Sequence, residues 1–152
     1  MIPELESGVL PEGIHQCTLD EVRAAFGQFR RTDRRIKLTD QLERFVQDLQ
    51  SSGIVTAVVI DGSYVTAKDE PGDIDLIVAL RADFDVTAEM RPMEYNVQSK
   101  RMVRKLYGFD IIPVADGSEH YHRFVDFFSD TNPTDENQQT FKQRKGVLRI
   151  EL

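Results

Sequence analysis

Gly62-Ser63 ends one apolar run, and nine residues later Asp73-Ile74-Asp75 opens the next. In an extended chain, residues two apart project from the same face, so Asp73 and Asp75 point together while Ile74 and Leu76 face the core. Two carboxylates in one patch repel, and each raises the other's pKa. A bound divalent cation removes that cost and keeps both ionised. Hard oxygen donors of this kind suit Mg2+ or Mn2+. Asp110, flanked by Phe109 and Ile111, is set at the start of another apolar strand as Asp73 and Asp75 are at theirs, and is the expected third ligand. Gly62 allows close backbone approach to a ligand, while the Ser63 hydroxyl and the turn's N–H groups can hold phosphate oxygens. The competing reading makes Asp73 and Asp75 mere turn and cap residues after Pro71-Gly72. The independent fit of Asp110 favours the metal site.

These residues need a sheet to bring them together. "IVTAVVI" (54–60) and "DIDLIVAL" (73–80) are apolar on both faces, as strands covered on both sides are. "FDIIPVA" (109–115) is a third strand, and Pro113, which cannot donate to a ladder, places it at or near a sheet edge. If the strands at 73 and 110 are parallel neighbours joined through a helix, their acids meet at one end of the sheet. The strand ending at Ile60 reaches that end only if it runs antiparallel, so the sheet should be mixed.

Helices fill the intervals. Thr18 and Glu21 form a capping box before Val22, Ala25 and Phe26. Leu38, Leu42, Phe45, Val46 and Leu49 make one stripe of a helix over roughly Thr32 to Ser52, closed by Gly53. A further helix is expected from about Asn96 to Gly108, and Ser118 should cap another carrying Tyr121, Phe124, Val125 and Phe128. Phe124, Phe127 and Phe128 are read as core. Residues 1–17, punctuated by Gly and Pro, read as an irregular arm; 129–146 is polar enough for a mobile loop, and "VLRIEL" is a final strand. The expectation is one α+β domain over 18–152, with a mixed sheet of three or four strands flanked by helices.

Composition narrows the function. The 152 residues are one domain's worth, long enough to bury about 70% of the unfolded surface around one core, so a single domain is expected. No run approaches a membrane span, and the acidic, Pro-containing N-terminus carries no secretory signal, so a cytoplasmic location is expected. The single Cys17 reads as a small half-buried apolar residue. A net charge of −7 repels duplex nucleic acid at long range. Lys100, Arg101, Arg104 and Lys105 nevertheless share one helix, either as a solvated face or as a phosphate-binding one. His120 and His122 diverge on a helix and read as surface residues.

Gly62-Ser63, the nine-residue interval, Asp73-Ile74-Asp75 and the later Asp110 resemble the signature of the nucleotidyltransferase superfamily typified by DNA polymerase beta. More narrowly, the pattern over the motif core 54–115 is similar to the minimal nucleotidyltransferases of bacteria. "LPEGIHQCTLDEV" and "GVLRI" also resemble a group of small bacterial proteins built around this core. One departure is Asp61, where the superfamily usually has an apolar residue. The resemblance implies a nucleotidyltransferase-like fold and Mg2+-dependent transfer of a nucleoside monophosphate, AMP above all, from an NTP to a hydroxyl of a protein or small-molecule acceptor. Asp73 and Asp75 would ligate both metals, Asp110 the metal that activates the acceptor, and Gly62 and Ser63 would cradle the triphosphate. Lys68, Lys100 and Arg101 are the candidate phosphate contacts. A role in a toxin–antitoxin or defence pair fits the small bacterial relatives; an RNA end is disfavoured by charge. The alternatives are an inactive binding or antitoxin module of the same fold, and a metal-dependent phosphohydrolase or nuclease.

Overall fold

The computed structural model describes residues 1–130 and 144–152. The Thr18 hydroxyl accepts from the Glu21 N–H at 3.2 Å and the Glu21 carboxylate accepts from the Thr18 N–H at 2.8 Å, so the capping box starts α1 (Leu19–Phe26). The apolar stripe of α2 (Arg34–Ser52) is buried along its length, and Gly53 stops the helix in the left-handed conformation at φ 71°.

Five strands are seen among the described residues: β1 (Ile14–Gln16), β2 (Val55–Asp61), β3 (Asp75–Leu80), β4 (Asp110–Ala115) and β5 (Val147–Glu151). Their order is β1-β5-β2-β3-β4. β3 runs parallel to β4 and β1 parallel to β5, whereas β2 is antiparallel to both β3 and β5, so the sheet is mixed. β4 lies at an edge, where Pro113 forfeits no ladder bond. The architecture is α+β.

Alternation along β2 and β3 sorts the core into two layers. Val58, Ile60, Leu76 and Val78 pack beneath α1, α2, α3 (Pro92–Gln98) and α4 (Lys100–Tyr107). Val59, Ile77 and Ala79 pack beneath α5 (Glu119–Ser129).

Several expectations are corrected. The sheet has five strands because β1 forms within the supposedly irregular arm. A three-residue strand carries no periodicity of its own, and it exists through its pairing with β5, from Ile14 opposite Val147 to Gln16 opposite Arg149. The helix expected over 96–108 is two helices: Ser99 sits extended (φ −79°, ψ 119°), and its hydroxyl caps α4 by accepting from the Met102 N–H. Phe127 is 67% exposed, since α5 directs Tyr121, Val125 and Phe128 at the sheet and Phe127 falls off that face. Of the loop expected over 129–146, residues 131–143 lie outside the described residues. No helix among the described residues is long and apolar enough to cross a membrane.

Candidate functional site

Pairing in the sheet assembles the acids. Asp61 at the end of β2 is the cross-strand partner of Asp75 at the start of β3, and Asp75 is in turn the partner of Asp110 at the start of β4. Directly opposed residues share a face, about 5 Å apart at Cβ, so the three carboxylates form a row on the side of the sheet that α5 covers. Asp73 precedes β3 by two residues and is exposed.

The electrostatics are those of a crowded anionic patch. Asp75 is pushed up to about 6, first by burial and then by the charges of Asp73, Asp61 and Asp110, with Lys145 opposing. Asp61, 5% exposed, is also raised, chiefly by burial, against the lowering influence of Lys145. The Lys145 Nζ lies 2.8 Å from Asp61 Oδ1, yet off the axis of a hydrogen bond. It is a charge contact, and among the described residues that buried oxygen has no aligned donor. At the other end of the row the Arg104 guanidinium donates to the exposed Asp110 carboxylate.

The donor set fits a hard divalent cation in kind: carboxylate oxygens from adjacent strand positions, with Asp75 raised first by burial and then by its acidic neighbours, a cost that a bound cation would relieve. Among the described residues no three such side chains are drawn close enough to share an ion. Arg104 and Lys145 supply the countercharge instead.

Gly62 bends the chain beside this row. Its φ of 91° and ψ of −179° fall in a region open essentially to glycine alone. A Cβ there would stand 3.1 Å from the Asp75 nitrogen, 3.2 Å from the Asp73 oxygen and 3.3 Å from Asp75 Oδ2. Gly62→Ala is therefore expected to destabilise the fold by about 2–3 kcal/mol, read as a lower urea midpoint at unchanged m-value. A midpoint equal to that of the unsubstituted protein would show that the bend tolerates a side chain.

Ser63 opens a single 3-10 turn (Ser63–Val65), and its hydroxyl spans the loop that follows. It accepts from the Gly72 N–H at 3.1 Å and donates to Asp73 Oδ1 at 3.2 Å. The loop is held from below by Arg35, which is 1% exposed. Its guanidinium donates to the Tyr64, Thr66 and Lys68 carbonyls at 2.5–3.1 Å and to the Phe26 carbonyl at 3.2 Å, and it stacks against the Tyr64 ring. Arg34 donates to the Pro71 and Gly72 carbonyls at 3.0 and 2.6 Å, just ahead of Asp73.

With the arrangement defined, a family profile aligns with residues 3–151, from the arm through β5. The chain belongs to DUF6932, a family of unknown function. No curated protein and no solved structure matches it. The match takes in every strand of the DUF6932 sheet, and so the whole carboxylate row.

Asp73, Asp75, Asp110, Gly62 and Ser63 thus fall in one region of this DUF6932 chain. Lys68, Lys100 and Arg101 are exposed, and none pairs with an acid among the described residues. Among the described residues, the cations that reach the row are Arg104 and Lys145. Arg104 belongs to the basic helix already noted in the sequence. Lys145 carried no signal, because it follows a polar stretch and meets Asp61 only through the pairing of β5 with β2. Arg35, too, looks like an ordinary surface arginine in sequence; its one oddity is an i, i+3 relation to the apolar stripe at Leu38. The Cys17 thiol is pushed up to about 11, first by burial, which keeps it an unreactive thiol. His120 and His122 are exposed.

Proposed function

We propose that this chain is a metal-dependent nucleotidyltransferase that passes a nucleoside monophosphate, AMP above all, from an NTP to a hydroxyl of a protein or small molecule. One observation carries the reading: the register that sets Asp61, Asp75 and Asp110 side by side, with Asp73 and the Gly62 bend adjoining them. Asp73, Asp75 and Asp110 would hold Mg2+ or Mn2+, which supplies Lewis-acid stabilisation of the entering and leaving oxygens. The chain's own contribution is positional. Gly62 keeps the bend free of a side chain, the Ser63 hydroxyl ties it to Asp73, and Arg35 holds the loop's carbonyls inward. The nucleotidyltransferase-like fold, a cytoplasmic location and a place in a toxin–antitoxin or defence pair belong to the same proposal.

A second reading, a module of the same fold that binds a partner without turnover, draws on the pairing of two row acids with internal cations. Calorimetry with ATP at millimolar Mg2+ separates the two. Binding heat that disappears in Asp73→Asn, together with transfer of labelled AMP and release of pyrophosphate, is expected for the enzyme. Absence of nucleotide binding points to the module, and inorganic phosphate in place of pyrophosphate to a hydrolase.

A further inference from the structure

The Asp61–Lys145 pair has features that a purely structural contact does not need. The pair is largely withdrawn from water, with side-chain exposures of 16% for Lys145 and 7% for Asp61. Such a pair gains little for stability over well-packed apolar residues. Lys145 is also fixed at its root. Its N–H donates to the Ser129 carbonyl at the end of α5 at 2.9 Å, and the next residue's N–H donates to the Leu10 carbonyl. The preceding Arg144 is anchored to Glu12, Asp126 and Asp130. A long, flexible stem therefore leaves a rigid base and ends one residue from the Gly62-Ser63 bend, beside acids suited to a cation.

We infer that Lys145 is a phosphate-binding residue of this site, stored on Asp61 until a metal-bound nucleoside triphosphate draws its ammonium away. The inference rests on the transferase reading and adds the residue that meets the substrate's phosphate charge. Once cations satisfy the carboxylates, the attraction holding the ammonium on Asp61 weakens and the triphosphate becomes the stronger partner. A lysine suits this exchange, because its ammonium is a rotatable point charge that can change partners without refitting a planar fork.

Two opposite effects of one substitution test the idea. Removing the ammonium removes a positive charge that competes with metal, so Lys145→Met should bind Mn2+ alone about as tightly as the unsubstituted protein, or several-fold more tightly. The same variant should bind ATP in millimolar Mg2+ about tenfold or more weakly, with Lys145→Arg recovering part of the loss. Since Lys145→Met strands the buried Asp61 carboxylate, Asp61→Asn/Lys145→Met removes both charges and should show the same ATP defect if folding of the single variant fails. ATP affinity unchanged in the double variant overturns the inference while leaving the transferase reading intact; so does parallel loss of Mn2+ and ATP binding in a folded variant. If the unsubstituted protein itself binds no ATP at millimolar Mg2+, both fall together.

Discussion

Asp75→Asn is expected to lower nucleotidyl transfer on the order of a thousandfold while making the metal-free protein more stable at neutral pH. Asp75 is the middle member of the row, in register with Asp61 on one side and Asp110 on the other, and is the carboxylate nearest to all the others. In the metal-ligand role proposed for it, its loss would remove several kcal/mol of transition-state stabilisation, since an amide oxygen is a poor substitute for a carboxylate on Mg2+. The stability gain follows from the sign of its pKa shift. The folded state raises Asp75 from its ordinary value to about 6, so between those values the native chain keeps a proton that the unfolded chain has released. Stability accordingly falls as pH rises through that window, and the full cost is present above about 6. Asn carries no such cost. Its Tm advantage should be largest near pH 7.5, shrink toward pH 4, and disappear when saturating Mg2+ neutralises the row in the unsubstituted protein. Transfer reduced less than tenfold would remove Asp75 from the chemistry; a Tm difference independent of pH would show that the acids do not crowd it.

The second large effect is on folding. Arg35→Met should cost about 3–5 kcal/mol and lower Tm by about 10 °C, because it deletes every hydrogen bond that Arg35 makes to the carbonyls of Phe26, Tyr64, Thr66 and Lys68. Methionine fills much of the space but donates nothing, so the buried carbonyl oxygens are left without partners. Burial pulls Arg35 below the ordinary guanidinium range, yet the group keeps its charge and meets it with carbonyl dipoles. Arg35→Lys should fall between the two, since one ammonium cannot reproduce a planar fork reaching several carbonyls. Urea denaturation measures both, and a loss below about 1 kcal/mol for Arg35→Met would mean that the loop holds its own shape. Because the same loop runs from the Gly62 bend to Asp73, surviving Arg35→Met protein is also expected to bind ATP more weakly at unchanged Mn2+ affinity.

What the chain reveals on paper is what neighbours in sequence decide among themselves. The capping box at Thr18 and Glu21, the stop at Gly53, the doubly apolar runs of β2 and β3, and the edge position implied by Pro113 depend on residues a few places apart, and each is present in the fold. The parallel β3–β4 pair that aligns Asp75 with Asp110 was within reach too, since a strand, helix and strand in succession leave few alternatives. The break at Ser99 leaves no mark in the sequence, because a single serine that caps a helix instead of continuing one costs too little to register in a pattern.

Long-range closure decided the remainder. β1 owes its existence to β5, more than 130 residues along the chain, and that pairing together with β5 on β2 brings Lys145 to Asp61. Arg35 becomes a buried clamp only because α2 passes under the loop after Gly62. Electrostatic contacts of this kind leave no periodicity, since a charge is matched by whatever the fold delivers to it from any distance in sequence. Residue types and spacing thus announced acids beside a glycine bend and the basic helix that supplies Arg104; that Lys145 answers Asp61 was settled by the order of strands in the sheet.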